Sequence, residues 1–291
     1  MEVYTTRQEF SSNIAISHCA FLNIVSNINM GGALSVSGSS VIFNLKLSSF
    51  QNCSSSSYSC GSIHSSCYSA TISKICVYNS QSLEYCSALW TQCDLNVLEE
   101  SSLDYCGQAG TRICAWCQSV GDCYVSYLNN SRFYATERES AGHFSNSPPK
   151  TEIKFSYFIS CSGPYVLGPY SPISNHYNCI FAKNTPSISL IVVWEGNHYL
   201  NQFLFIQNIQ TISSTGHTSF YIGFINCIGD QAFVGVQNSL QGSIFKTQIV
   251  TEYSLSLYKC SIDMSLPKGN IRSIPSLTII LYPLFIAFAL I

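Results

Sequence analysis

Apolar and polar side chains alternate along this chain in short bursts. Phe43, Leu45 and Leu47 stand two apart, as do Ile188, Leu190, Val192 and Trp194. A period of two puts successive side chains on opposite faces of an extended strand, whereas an amphipathic helix needs a stripe every three to four residues. The bursts are rich in Val, Ile, Phe, Tyr and Ser, and no helical stripe precedes residue 273. The pattern predicts an all-β chain of many short strands.

The bursts repeat. An aromatic residue or Leu is followed three positions later by Cys or Asn at Phe50–Cys53, Leu103–Cys106, Phe158–Cys161, Phe205–Asn208, Phe224–Cys227 and Leu257–Cys260. Degenerate copies read Cys76–Asn79, Leu128–Ser131 and Cys19–Asn23. Between them falls a second mark of small residues before an alternating stretch: Gly31-Gly32-Ala33-Leu34, Cys60-Gly61-Ser62-Ile63 and Cys86-Ser87-Ala88-Leu89. The spacing of about 19 to 30 residues is that of solenoid coils. A sandwich has no reason to return the same residue types to the same place in each unit. Stacked parallel coils do, because equivalent residues pile up at about 4.8 Å and ring packs on ring, amide on amide. The expected fold is therefore a right-handed parallel β-helix. On such a ladder the thiols of Cys53, Cys106, Cys161, Cys227 and Cys260 point the same way rather than at each other, so buried thiols are expected there; Cys60, Cys67, Cys86 and Cys93 are the better candidates for bridges.

The GGAL of residues 31–34 and the FQNC of residues 50–53 resemble the paired GGA-[ILV] and FxxN marks of the chlamydial polymorphic membrane proteins and their protist relatives. The resemblance spans residues 14–265, with one intact GGA-type mark and FxxC in place of most FxxN. It implies a β-helix at a cell surface, with a membrane-anchoring C-terminus and an adhesin-like role.

Composition narrows the function. Of 291 residues 46% are hydrophobic and 10% charged, far below the roughly 25% charge of an ordinary soluble domain. A net charge of -2, with 13 Lys and Arg that nowhere form a run, argues against nucleic acid as a partner. Fifteen cysteines leave at least one thiol unpaired within the chain. Residues 1–13 contain no apolar run and read as an N-terminal cap or the start of a fragment, with no signal peptide visible. Residues 14–265 form the expected β-helix, with a loop or insertion near 132–154, where charge and turn residues collect. A spacer at 266–272 leads into an uncharged tail at 273–291. Its last fifteen residues would span about 22 Å as a helix, short of the roughly 30 Å hydrocarbon layer, though counting from Ser273 nearly reaches it. A membrane anchor is the expectation; a lipid-anchor signal and a terminal strand packed on the core are the alternatives.

Chemistry is sparse. Lyases and hydrolases of β-helical fold need clustered carboxylates with basic residues beside them. The five Asp residues are scattered, and Glu99-Glu100 is the only adjacent acidic pair, best read as a solvated turn. Thr215-Gly216-His217 has no acidic partner nearby in sequence. One CxxC, Cys114-Ala115-Trp116-Cys117, lacks a second pair at zinc-finger spacing, although Cys106 and Cys123 are candidates to complete a site in space. Nucleotide-binding glycine motifs are absent. Of two sequons, Asn52-Cys53-Ser54 falls on the ladder and Asn129-Asn130-Ser131 in an expected polar loop. No catalytic, cofactor-binding or metal-ligating residue is assigned. The expected function is a non-enzymatic surface or membrane-tethered β-helix presenting its flank, above all residues 132–154 and 163–174, to a protein or glycan. A polysaccharide lyase or glycoside hydrolase on the same scaffold is the alternative.

Overall fold

Phe50 lies on Phe21 with ring centroids 4.5 Å apart and planes 2° from parallel. Phe158, Phe181 and Phe205 continue the same motif further along the chain, at 4.7 and 5.6 Å. These contacts come from a computed structural model that describes residues 1–27, 30–56, 60–107, 114–145, 148–215, 221–230 and 238–245. Leu257, Cys260, Gly216, His217, the spacer and the tail lie outside the described residues. All regular structure among the described residues is strand, and every strand pairing is parallel, so the chain is a β-solenoid.

Each coil crosses three walls. The first is an eleven-stranded sheet of two- to four-residue strands, among them Cys19–Leu22, Ser49–Gln51, Cys76–Tyr78, Ser102–Asp104, Asn129–Ser131, Tyr157–Ile159, Ile180–Ala182 and Leu204–Ile206. Its register places Phe21, Phe50, Val77, Leu103, Asn130, Phe158, Phe181 and Phe205 in one inward column. All but Asn130 are apolar and every member is buried. Burial of each large apolar member contributes about 1.5–3 kcal/mol, and ring pairs add roughly 0.5–1.5 kcal/mol. The second and third walls are continuous in Leu34–Lys46, whose first half pairs with Gln8–Phe10 and second half with Ile14–Ser17. The strand bends at the register shift between Gly38 and Ile42.

Two corners in each coil use a left-handed residue. On one side of the first wall stand His18, Leu47, Lys74, Glu100, Tyr127, Phe155, Asn178, Gln202 and Asn226; on the other Asn23, Asn52, Asn79, Tyr105, Arg132, Ser160, Lys183 and Gln207, all with φ between 45° and 58°. The turn interrupts the ladder, and the residue after it needs a new acceptor for its N–H. The next coil supplies one from a side chain. Ser48 Oγ accepts from the Cys19 N–H at 3.2 Å, Ser101 Oγ from Ile75 at 3.3 Å and Asn184 Oδ1 from Cys161 at 2.8 Å. The same side chain donates back to the carbonyl two residues earlier or to the preceding coil, as Ser48 does to Lys46 and Asn184 to Phe158. Cys, Ser and Asn recur at these places because each is a small donor and acceptor that fits a buried corner. Such contacts link residues 23 to 29 apart, which sets the coil length.

The second mark has a steric cause. A Cβ on Gly32 would stand 2.0 Å from the Gly61 carbonyl oxygen, and one on Gly61 2.2 Å from that of Ser87. Successive coils approach too closely there for larger residues.

Four sequence expectations change. Phe224 is not in the first-wall column: it pairs with Leu200 on the third wall, and Cys227 occupies the opposite corner from Cys53 and Cys161. In the three degenerate copies the first-wall column is filled by Val77, Asn130 and Phe21, not by Cys76, Leu128 and Cys19. Residues 132–154, expected as a loop or insertion, supply Glu139–Ser145 and Thr151–Lys154, both paired on each side within the ladder. Of the three prolines in residues 163–174, Pro164 and Pro172 fall in strands Ser162–Gly168 and Tyr170–Tyr177, at register irregularities that tolerate a missing N–H, and Pro169 lies between the two strands. Residues 1–13 contribute the first-wall strand Glu2–Tyr4 and the second-wall strand Gln8–Phe10.

Candidate functional site

The third wall turns alternate side chains outward from Asp122–Ser126, Thr151–Lys154, Tyr170–Tyr177, Glu195–Asn201 and Tyr221–Ile225. Tyr124 stands beside Glu152, and Asn175, Tyr199 and Gly223 follow in register; Lys154, Tyr177 and Asn201 form the adjacent row. A Cβ on Gly223 would come within 2.8 Å of the Tyr199 ring, so Tyr199 leans over the next coil. Lys150 Nζ sits 5.0 Å above the Tyr124 ring and Lys154 Nζ 5.7 Å from that of Tyr177, while Lys154 also pairs with Glu152 at 2.8 Å. A shallow recess of about 310 Å³ opens among Lys150, Thr151, Glu152, Ser174, Asn175 and Tyr177. Apolar ring planes edged by amides, a carboxylate and ammonium groups suit a ligand with apolar faces and many hydroxyls.

Beneath the surface lie two ionisable pairs. Glu139 is fully buried, its carboxylate 3.1 Å from His143 Nδ1 and accepting a 2.5 Å hydrogen bond from the Trp194 indole. Gly168 makes room, since a Cβ there would meet Glu139 Oε1 at 2.2 Å. Burial pushes the Glu139 carboxyl up, but the charge of His143 and the Trp194 hydrogen bond outweigh it and the net shift is down. Burial pulls His143 down, and the Glu139 charge reverses this to a net rise. The pair is therefore held ionised.

The second pair is neutral. His176 Nδ1 accepts from the Ile153 N–H at 3.2 Å, so its proton is on Nε2, which donates to His198 Nδ1 at 3.4 Å; His198 Nε2 donates to the Glu195 carbonyl at 2.8 Å. Every ring nitrogen is used only when both rings are uncharged. Burial drives His176 well below its usual value, helped by His198, and takes His198 to about 4.

The remaining sequence candidates are dispersed. Glu100 forms a corner and pairs with Lys74 at 3.3 Å, in keeping with a solvated turn. Cys106 is a first-wall corner thiol bonded to Asp104 O, whereas Cys123 lies inward on the third wall against Asn96, so the two do not complete a site with the CxxC. Among the described residues no group of three or more His, Cys, Asp or Glu is arranged to hold a metal ion. Asn129 lies on a first-wall strand rather than in a loop, and the Asn52 amide is engaged by Asn23. Sequence reasoning missed Glu139, His143 and Trp194 because Trp194 is 55 residues from Glu139 and only the stack unites them. Of the tyrosines at 124, 177 and 199, only the last two stand about one coil apart in sequence, and the Thr151–Lys154 coil separates them from Tyr124.

The chain matches no protein-family model, no curated protein and no solved structure.

Proposed function

We propose that this protein is a non-enzymatic β-solenoid, held at a membrane or cell surface, that binds an extended glycan along its third wall. One observation carries the proposal: the Glu139–His143 and His176–His198 pairs and the described thiols are buried, while Tyr124, Asn175, Tyr177 and Tyr199 stand outward within a run of four coils. A coil rise of about 4.8 Å is close to the length of one sugar in an extended chain, so neighbouring coils offer repeated shallow contacts. Polymorphic-membrane-protein-like marks at residues 31–34 and 50–53, and the uncharged segment 273–291, support the surface placement.

The test is binding to a panel of neutral and acidic oligosaccharides by calorimetry. Tyr177→Ala and Tyr199→Ala should each weaken the best ligand by about tenfold, with unchanged far-UV circular dichroism. Equal affinity in both variants would remove the third wall from the binding surface.

A further inference from the structure

Cys67 and Cys93 face each other across successive coils with their sulfurs 3.0 Å apart, and Cys86 and Cys114 do so one coil further on at 3.4 Å. Their backbones are suitably placed. Cys86 and Cys114 are ladder partners at a register shift, where their thiols converge instead of running parallel as on a regular ladder, and Cys93 lies two residues beyond the Ser65–Thr91 pairing, level with Cys67. Neighbouring parallel strands lie about 4.8 Å apart, inside the Cα separation of roughly 4.4–6.8 Å that a disulfide spans.

The other thiols are differently engaged. Cys53, Cys106, Cys161 and Cys227 donate to backbone carbonyls at the corners, where the next coil presents Ser, Phe or Asn and not a second cysteine. Cys60 is bridged to Cys86 through its backbone, but its thiol donates to the Ile63 carbonyl at 2.5 Å. Cys117 touches the Cys86–Cys114 pair and Cys60 packs in the same cluster, so these two are its competitors among the described residues.

We propose that Cys67–Cys93 and Cys86–Cys114 are two disulfide-forming sites that together clamp three successive coils. The oxidant is a low-molecular-weight disulfide of the glutathione class. The Cys93 thiolate attacks it, forming a mixed disulfide and expelling one thiolate; Cys67 then attacks Cys93 Sγ and expels the second. Two protein thiols are oxidised, one external disulfide is reduced to two thiols, and the two protein protons pass to the leaving thiolates. Cys93 is suited to attack first, because the hydrogen bond from Cys67 lowers its pKa. The same exchange closes Cys86 on Cys114.

Folding in a buffer of reduced and oxidised glutathione, followed by alkylation and peptide mass mapping without reductant, tests the clamp. The expected result is that Cys67, Cys86, Cys93 and Cys114 all escape alkylation, with recovery of peptides joined 67 to 93 and 86 to 114. The oxidised protein should melt at a higher temperature than the reduced one, and the double variant Cys93→Ser, Cys114→Ser should lose that reductant-sensitive shift while keeping its β-type circular dichroism. A Cys114–Cys117 bond, one bond without the other, or full alkylation of all four thiols would overturn the proposal.

Discussion

The Asn79 side-chain amide donates to Asn52 Oδ1 at 2.8 Å, and Asn52 donates in turn to Asn23 Oδ1 at 2.8 Å. All three residues are left-handed, at φ 52°, 52° and 53°. Asparagine serves twice here, since it tolerates that backbone better than other non-glycine residues and its amide continues the stack. Asn52→Ala should destabilise the fold by about 1–2 kcal/mol, and Asn52→Gly by about half as much because only the amide contacts are lost. Urea melts of the two variants separate backbone strain from hydrogen bonding.

Asn208 Oδ1 accepts from both the backbone and side-chain nitrogens of Asn184, at 3.1 and 2.9 Å, and its own amide donates to Phe181 O at 2.8 Å. Asn208→Leu leaves a buried corner N–H and a carbonyl without partners. A loss of about 2–4 kcal/mol is expected in chemical denaturation.

Asn130 interrupts the first-wall column between Leu103 and Phe158. Its amide nitrogen reaches Ala141 O at 3.0 Å, but its oxygen has no partner among the described residues. Asn130→Leu removes that orphan and fills the column with an apolar side chain. Stability should rise by about 1 kcal/mol, read as a higher urea midpoint at unchanged m-value.

The buried neutral histidines make the fold acid-sensitive. His64, taken to about 4 mainly by burial, joins His176 and His198 in resisting protonation when folded. Their unfolded forms titrate near 6.5, so above that pH they impose no penalty. Below it the unfolded chain binds more protons, and stability falls by up to about 1.4 kcal/mol per pH unit for each histidine until its folded pKa is reached. His143 has the opposite sign: its contribution is complete below pH 6.5 and is lost as pH rises through its raised pKa. Glu139 contributes above its usual carboxylate range and loses this as pH falls through its lowered pKa. Denaturation midpoints from pH 8 to pH 4 should therefore drop on the acid side, and His198→Asn should flatten the slope.

Glu139→Gln leaves His143 buried without its charge partner. A cost of about 3–5 kcal/mol is expected. The His143 pKa, followed by its imidazole NMR shifts, should move from above its usual value to below it, since burial then acts unopposed. An unchanged titration would show that the Glu139 charge does not hold the proton.

Local sequence determined the strands, the coil repeat and the residue type at each corner. An apolar residue, one residue more, a left-handed residue and a small polar one form a self-contained instruction, read alike in Phe158-Ile159-Ser160-Cys161 and Phe224-Ile225-Asn226-Cys227. Which corner such a quartet builds is not local. Phe158 faces the first-wall column and Phe224 the third because neighbouring coils set their register. For the same reason Glu139–Ser145 and Thr151–Lys154, within a stretch that is turn-rich and charged as a string, became ladder strands once coils on both sides offered hydrogen bonds. The approach of Trp194 to Glu139, the histidine relay and the pairing of Cys67 with Cys93 were likewise decided by tertiary structure. These partners come from different coils, and only stacking at a fixed rise brings such distant residues within hydrogen-bonding range.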